Sequence, residues 1–595
     1  MSSKPGEKQI YEDFETGIKA LEEGAFALAQ TAFESHLKTN PQDAEGWANL
    51  ALACFLQRDY PLASQHWKIS LKSEWLPEVA ENISDNAFEL VQEGNFQTAA
   101  ELYGLLVERM PQLRGSRIWA LRCANQTHQA EKLLQNYLKQ EPNHLEFRLL
   151  DAFLLPQLYL STSTMKQWRQ RLRTKLQELT DWFDQSPVIT CQELIAGSPI
   201  FDLMLLGQNE RETMSHISSL WRKLFLTQEA AQTKLHSPSQ PLRLAWVSFS
   251  IYQHSTMDYF KRLLLYFCGH SDFENGVFYF GKPRDSVTEE IASTANHFLQ
   301  LDLNLEIGLE AIQGWQPDIL FYLDIGQEAM LYTLAHYRLA KLQCVSSGIP
   351  ITTGISTIDY YLSCRFFEPD QAQQNYSEKL IALPNPPWQV EVPPLSSPLL
   401  QRSDLGLPPD KTLYLFPHTL FRLDPDLDPI IAAILAADPQ AVLVLLRYRE
   451  TRLHEDLQKR LGKVLSAANL ERICFLPWLP QPQFLQLLNL ADLALDGLYL
   501  GGGLVSYQCF AQGLPIIHLP TEQLRCRVAA GLYKMAGLSG WIAQDKADYL
   551  HKALQLGQDP ALRSQLKNQI RAARPLIFEN RQGPKDLAAF FLAQF

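Results

Sequence analysis

Three consecutive glycines, Gly501, Gly502 and Gly503, follow an apolar run, Leu493–Leu495, that ends at Asp496. A short helical pattern then reaches Gly513, and a second apolar run, residues 514–519, stops at Pro520. Strand, glycine loop, helix and strand make one parallel α/β unit. Glycines in such a loop let backbone N–H groups approach an anion, and the positive end of the helix dipole adds to the attraction. The chemistry indicated is the binding of a phosphate-bearing ligand, although a tight turn needing small residues explains the loop as well. Arg422 lies just beyond the apolar run Thr412–Phe416, where a guanidinium could neutralise a diphosphate leaving group. A lone arginine is also an ordinary surface residue. His254 falls in the loop after the run Leu242–Ser248, where an imidazole could take a proton near neutral pH, or serve as a hydrogen-bonded structural histidine. Residues 348–354 form a third loop, whose Thr352 and Thr353 carry hydroxyls able to bond phosphate or sugar oxygens; an ordinary turn explains it too.

These residues need two sets of alternating strands and helices to hold them. In residues 241–390 a strand, Leu242–Ser248, is followed by a helix near 256–267. Further apolar runs come at 277–280, 319–323 and 342–345. In residues 391–595, after a proline-rich crossing, strands are expected at Thr412–Phe416, Ala441–Leu446 and Ile473–Leu476, ahead of the glycine loop. Alternation of this kind implies parallel, doubly wound sheets with ligands at the carboxyl ends of the strands. Two such halves with a crevice between them fit the GT-B arrangement of glycosyltransferases, which other two-lobed α/β proteins share.

The N-terminal region reads differently. Gly17, Ala20, Ala29 and Phe33 return as Ala51, Cys54, Ala63 and Trp67, each 34 residues on, which is the tetratricopeptide period. Gly94, Ala99, Tyr103 and Pro111 repeat Gly24, Ala29, Phe33 and Pro41 with a two-residue slip, and Ala130, Leu134 and Pro142 mark an eroded fourth copy. Residues 1–150 are therefore expected to form a helical solenoid whose concave face holds a peptide, or a helical cap that only packs on the next domain. Residues 151–240 read as a helical bridge, with Trp168, Leu172, Leu176 and Leu179 at helical spacing and again Ile217, Leu220, Leu224 and Leu226. Arg169, Arg171, Arg173 and Lys175 are expected on its solvated face.

The 595 residues are too many for one core, and about three to five domains or subdomains is the expectation. With 53 basic against 65 acidic residues the net charge is -12, and no basic block points to nucleic acid or to a membrane surface. Nine cysteines carry no zinc spacing and no Cys-x-x-Cys, which suits reduced thiols in a cytoplasmic protein. No apolar tract is long enough for a membrane span, and the first residues lack the apolar core of a secretion signal. No metal site and no cofactor are expected.

In the order of these motifs the chain resembles the O-linked N-acetylglucosamine transferase and SPINDLY-like glycosyltransferases in their bacterial form. The residues that carry the resemblance include Val247 and Ser248 before His254, Arg338, Leu339 and Ala340 with Gln343, the 348–354 loop, and Ile358, Asp359 and Tyr360. Leu490, Ala491 and Asp492 with Asp496, and Arg527 to Ala530, complete it. The resemblance implies an inverting, metal-independent transferase moving a sugar from a nucleotide diphosphate to a protein side chain, often Ser or Thr. It makes Arg422 the counterpart of a lysine that holds the diphosphate, and Phe484 the counterpart of a histidine near the nucleotide. Gln508 stands where a ribose-binding aspartate would be. Donor contacts are expected from Thr352, Thr353, Thr419, Gly501, Gly502, Gly503 and Ser506, with His254 orienting or deprotonating the acceptor. The chain departs from the family at Leu504 and Val505, which replace two threonines. Each lost hydrogen bond to a charged phosphate removes about 1.5–3 kcal/mol of binding. A second reading follows from those losses: an inactive GT-B body whose repeats recruit a partner.

Overall fold

The computed structural model describes residues 5–185, 200–225, 237–447 and 451–595. Two compact units result, Met1–Gln157 and a second comprising Leu158–Tyr448 and His454–Phe595. Within the bridge, the dipeptides Ser186-Pro187 and Ser198-Pro199, whose composition marks loops, and Leu226 lie outside the described residues.

The first unit is a run of helical hairpins: Pro5–Glu22 with Phe26–Thr39, Ala44–Leu56 with Tyr60–Ser73, Pro77–Glu93 with Phe96–Leu106, and Arg114–Cys123 with Thr127–Gln140. The helix-contact positions of the repeat are buried, from Ala20, Ala29 and Phe33 to Ala130 and Leu134, whereas Gly24 and the prolines Pro41, Pro111 and Pro142 are exposed. Small residues are needed where the paired helices touch, since a Cβ on Gly17 would sit 2.6 Å from the ring of Phe33. The turn within each hairpin requires one left-handed residue. Gly24 and Gly94 supply it at φ +74° and +80°, while the second and fourth hairpins use Arg58 at φ 65° and Asn125 at φ 57°. A side chain in that conformation costs about 1–2 kcal/mol, part of which glycine loses again to unfolded-state entropy. Arg58→Gly is therefore expected to stabilise this unit by about 0.5–1 kcal/mol, read as a higher urea midpoint at unchanged slope.

The second unit carries two parallel sheets. In the first, β1 (Leu242–Ser248), β2 (Phe273–Tyr279), β3 (His297–Gln300), β4 (Ile319–Tyr322), β5 (Leu342–Ser346), β6 (Tyr360–Cys364) and β7 (Lys379–Leu383) lie in the order β3-β2-β1-β4-β5-β6-β7. In the second, β8 (Thr412–Phe416), β9 (Ala441–Leu446), β10 (Ile473–Leu476), β11 (Leu493–Leu495) and β12 (Ile516–Ile517) lie in the order β10-β9-β8-β11-β12. The central strands are continuous apolar runs because helices cover both faces: β8 and β9 are buried along their whole length. The strand order reverses once in each sheet, between β1 and β4 and between β8 and β11. Ligand crevices open at such switch points.

Two expectations are corrected here. Arg169 is not on a solvated face; it is 6% exposed and ion-paired to Glu210 at 2.9 Å. The last helix, Gln582–Leu592, falls within the sequence-assigned second half but packs on the first. Phe591 meets Phe267 at a tilt and Phe273 and Phe321 edge to face, and Asn385 donates to Asp586 at 2.8 Å. No helix among the described residues is long and apolar enough to cross a membrane.

Candidate active site

Both switch points deliver their loops to one cleft. The first sheet contributes the helix Ser255–Cys268, which follows β1, and the second contributes the helix Leu504–Gln512, which follows β11. Between them is a cavity of about 470 Å³, lined on one side by His254, Asp258, Lys261 and Arg262 and on the other by Leu504 and Gln508. The segment 390–396 and the start of the helix Gln481–Leu490 close its rim.

His254 is the N-cap of its helix, and its Nδ1 accepts the Thr256 N–H at 3.2 Å. Burial lowers its pKa below the ordinary 6.5. Across the cavity the helix Leu504–Gln512 begins with N–H groups that lack the acceptor one turn back, as at any helix start, although the Ser506 N–H donates to the Gly503 carbonyl at 3.0 Å. The Gln508 side chain, 6% exposed, lines the same space. Lys261 and Arg262 bring positive charge to the lining, each with an acidic neighbour: Glu290 at 3.2 Å for Lys261, Glu391 for Arg262.

The glycine loop is fixed from below by Asp496. This carboxylate, 1% exposed, accepts from His418 Nε2 at 2.9 Å, His518 Nδ1 at 2.7 Å, Gly502 N at 2.9 Å and Gly497 N at 3.0 Å. Burial pushes its carboxyl up, but the hydrogen bonds and charges of the two histidines outweigh this and hold it well below the carboxylate range. Burial pulls His418 down, against the opposing pull of Asp496. β8, β11 and β12 are neighbours in the sheet, so their carboxyl ends bring His418, Asp496 and His518 together. A Cβ on Gly502 would lie 2.6 Å from Ser506 Oγ and 3.0 Å from His418 Cε1, so only glycine fits there.

Arg422 is positioned by this loop but does not line the cavity. Its Nη1 donates to the Gly501 carbonyl at 3.3 Å, and among the described residues no carboxylate hydrogen-bonds it. Burial lowers its pKa, with Asp496 and then Tyr259 opposing. The Thr419 hydroxyl, three residues earlier in the chain, is buried and has no partner among the described residues. An unpartnered hydroxyl and a guanidinium satisfied only by a carbonyl are groups suited to an anion.

Other sequence-assigned residues are elsewhere. Thr352 donates its hydroxyl proton to Glu378 Oε2 at 2.6 Å, and Thr353 donates to Glu378 Oε1 through both its hydroxyl and, at 2.7 Å, its N–H. Their protons are committed to a buried carboxylate, so neither is available to a phosphate. Ser506 is corrected likewise, its hydroxyl donating to the Gly502 carbonyl at 2.7 Å. Phe484 lies on the rim helix, but its neighbours Gln481, Pro482 and Leu485 line the cavity and it does not. Sequence reasoning missed Asp258 and Lys261, although they fall four and seven residues after His254 on one helix face. It also missed His418 and His518, which are lone histidines until the strand order is known.

Two doubly wound sheets sharing one cleft, preceded by tetratricopeptide-like helical hairpins, define a GT-B glycosyltransferase fold behind a helical solenoid. Residues 389–586 match glycosyl transferase family 41. A probable UDP-N-acetylglucosamine–peptide N-acetylglucosaminyltransferase of Arabidopsis thaliana, SEC, is 28% identical over 296 residues, which is 48% of this chain and 30% of SEC. The corresponding probable transferase SPINDLY of Solanum lycopersicum is 26% identical over 242 residues, 39% of this chain and 25% of its own. A solved O-GlcNAc transferase mutant from Thermobaculum terrenum shares the fold over 99% of this chain and 98% of its own, with a TM-score of 0.56 at 17% identity. The chain is thus similar to these O-linked N-acetylglucosamine transferase and SPINDLY relatives over part of its length, and the matched segments span less than a third of the length of these curated relatives.

Proposed function

We propose that this protein transfers a sugar from a nucleoside diphosphate to a side-chain hydroxyl of a protein, with inversion and with no cofactor beyond the nucleotide sugar. The observation that carries this reading is the shared cleft, which places His254 and the start of the Leu504–Gln512 helix on opposite walls of one 470 Å³ cavity. A diphosphate bound at that helix start would meet backbone N–H groups and the dipole of the helix. Gln508 faces the nucleotide side, and Lys261 and Arg262 supply cationic charge from the other wall. Inversion by a single displacement needs no covalent nucleophile. The printed names of the curated relatives make UDP-N-acetylglucosamine the first donor to test and peptide Ser or Thr the first acceptor.

The test is calorimetric titration with UDP and UDP-N-acetylglucosamine without added metal, followed by transfer to a peptide library. Micromolar binding supports the reading, and absence of binding up to several millimolar overturns it. Arg422→Ala removes the guanidinium that holds the Gly501 carbonyl. It is expected to weaken UDP binding about 10- to 100-fold, the range for a lost hydrogen bond to a charged group. Unchanged affinity would confine Arg422 to a structural role.

A second reading is favoured by one set of observations. The Thr352, Thr353 and Ser506 hydroxyls are all committed inside the protein, and Leu504 and Val505 have none to offer. A body that no longer binds nucleotide would leave the helical repeats as a partner-binding module, and the same titration separates the two.

A further inference from the structure

We propose that the carboxylate of Asp258 is the base that takes the acceptor's proton, and that His254 faces the reaction as a hydrogen-bond donor. This rests on the transfer reaction proposed above.

The argument begins with the cap. The Thr256 N–H donates to His254 Nδ1 at 3.2 Å, so the Nδ1 lone pair is occupied by the residue's own helix. A neutral imidazole that accepts at one nitrogen carries its proton on the other, so Nε2 is an N–H. Burial favours this neutral form. His254 thus lines the cavity with a donor and has no lone pair there to receive a proton.

Asp258 lies one turn further along the same helix and lines the same cavity. Among the described residues its carboxylate takes part in no hydrogen bond or ion pair, whereas the other acid of the lining, Glu391, is paired with Arg262. The charged groups around Asp258 are few. Burial raises its carboxyl above the ordinary 3.8, Lys261 from the next turn opposes, and Glu391 from the rim adds to the rise. Lys261 is itself drawn to Glu290. An ionised, unpartnered carboxylate shifted toward neutral pH is well matched to general-base work.

In the step, the acceptor oxygen forms a bond to the anomeric carbon and its proton passes to an Asp258 oxygen. The bond from the anomeric carbon to the diphosphate oxygen breaks, and its electron pair leaves on the diphosphate. The His254 Nε2–H bonds a sugar or phosphate oxygen and transfers no proton. With water as acceptor the same step is donor hydrolysis, which needs no knowledge of the natural acceptor.

The experiment uses the full chain with UDP-N-acetylglucosamine, measuring UDP release at saturating donor and UDP affinity by calorimetry for wild type, Asp258→Asn, Asp258→Glu and His254→Asn. Asp258→Asn is expected to slow release about 10²- to 10⁴-fold with UDP affinity within twofold of wild type. Asp258→Glu should recover part of the rate, and His254→Asn should lose less than Asp258→Asn. Wild-type release by Asp258→Asn, with UDP binding intact, would overturn the assignment while leaving the transferase reading standing. Wild type that binds no UDP would overturn both. The ¹⁵N shifts of labelled histidine, assigned through His254→Asn, give a second measure that does not depend on the Asp258 variants folding: an unprotonated Nδ1 supports the assignment, and a protonated Nδ1 overturns it.

Discussion

Asp496→Ala is expected to destabilise the second unit by about 3–5 kcal/mol, the range for removing one partner from a buried charged cluster, and to abolish nucleotide binding with it. Four donors converge on this carboxylate: two imidazole N–H groups and the backbone N–H groups of Gly497 and Gly502. All of them are buried, so the alanine variant would leave them without the acceptor they share. The Gly502 contact ties the carboxylate to the glycine loop, so the loop would lose its position along with the stability. Asp496→Asn is the informative companion. Its amide oxygen can still accept from Gly502, but its NH₂ would face an imidazole N–H. His418 Nδ1 and His518 Nε2 have no partner among the described residues, so one ring can shift its proton outward and accept from the amide. A loss of about 1–2 kcal/mol is expected for it. Urea midpoints for the three proteins, paired with UDP titrations, check the order. An alanine variant with the wild-type midpoint would show that the carboxylate does not anchor the loop.

The elements that hold this site were largely legible because their signals are local and strong. β8, β9, β10 and β11 are apolar runs that end in a charge or proline, β1 opens just after Pro241, and each was placed at its observed bounds. β3, β6 and β7 were not recognised. β3 is His-Phe-Leu-Gln and half-exposed throughout, and β7 begins with an exposed lysine, so neither has the continuous apolar run of a buried strand. Both are edge strands, where one side needs no apolar cover. The 34-residue period was legible for the same reason as the central strands, since each repeat must bury the same small and large residues.

Side-chain direction was the part that sequence could not convey. Thr352 and Thr353 sit in a strand-end loop, as expected, yet both turn inward because Glu378 is buried beneath them and needs donors. Ser506 is in the first turn of the expected helix, and its hydroxyl bonds back to the carbonyl four residues earlier. Arg422 and the glycine loop were correctly linked to one strand-end region, but the guanidinium lies against Gly501 and outside the cavity lining. Residue type and approximate location follow from sequence. Which hydroxyls remain available to a ligand depends on partners from distant strands.

The second large effect is a pH dependence centred on His336. This residue is 4% exposed and fully satisfied as a neutral imidazole: Nδ1 donates to the Tyr332 carbonyl at 2.8 Å, and Nε2 accepts from the Ser218 hydroxyl at 3.0 Å. Burial, with a smaller contribution from the charge of Arg222, outweighs the hydrogen bonds to Tyr332 and Ser218 and lowers its pKa from the ordinary 6.5 to about 4. In the unfolded chain the same imidazole protonates near 6.5, so between there and pH 4 the unfolded state binds the extra proton and gains on the native state. The stability tied to the neutral ring is fully present above pH 6.5 and is lost as the pH falls to 4, in all about 3 kcal/mol. Buried carboxyls such as Asp324, raised to about 7 by burial, contribute slopes of the opposite sign, so the whole-protein profile does not isolate one group. The comparison with His336→Gln does. The variant gives up the bond to the Tyr332 carbonyl and is expected to be less stable at pH 7 by about 1 kcal/mol. It has no proton to gain, so the difference should shift in its favour by about 2 kcal/mol between pH 7 and pH 5. Urea denaturation of both proteins at the two pH values measures this directly. A difference that stays constant with pH would mean that the native protein accommodates the imidazolium as readily as the unfolded chain does.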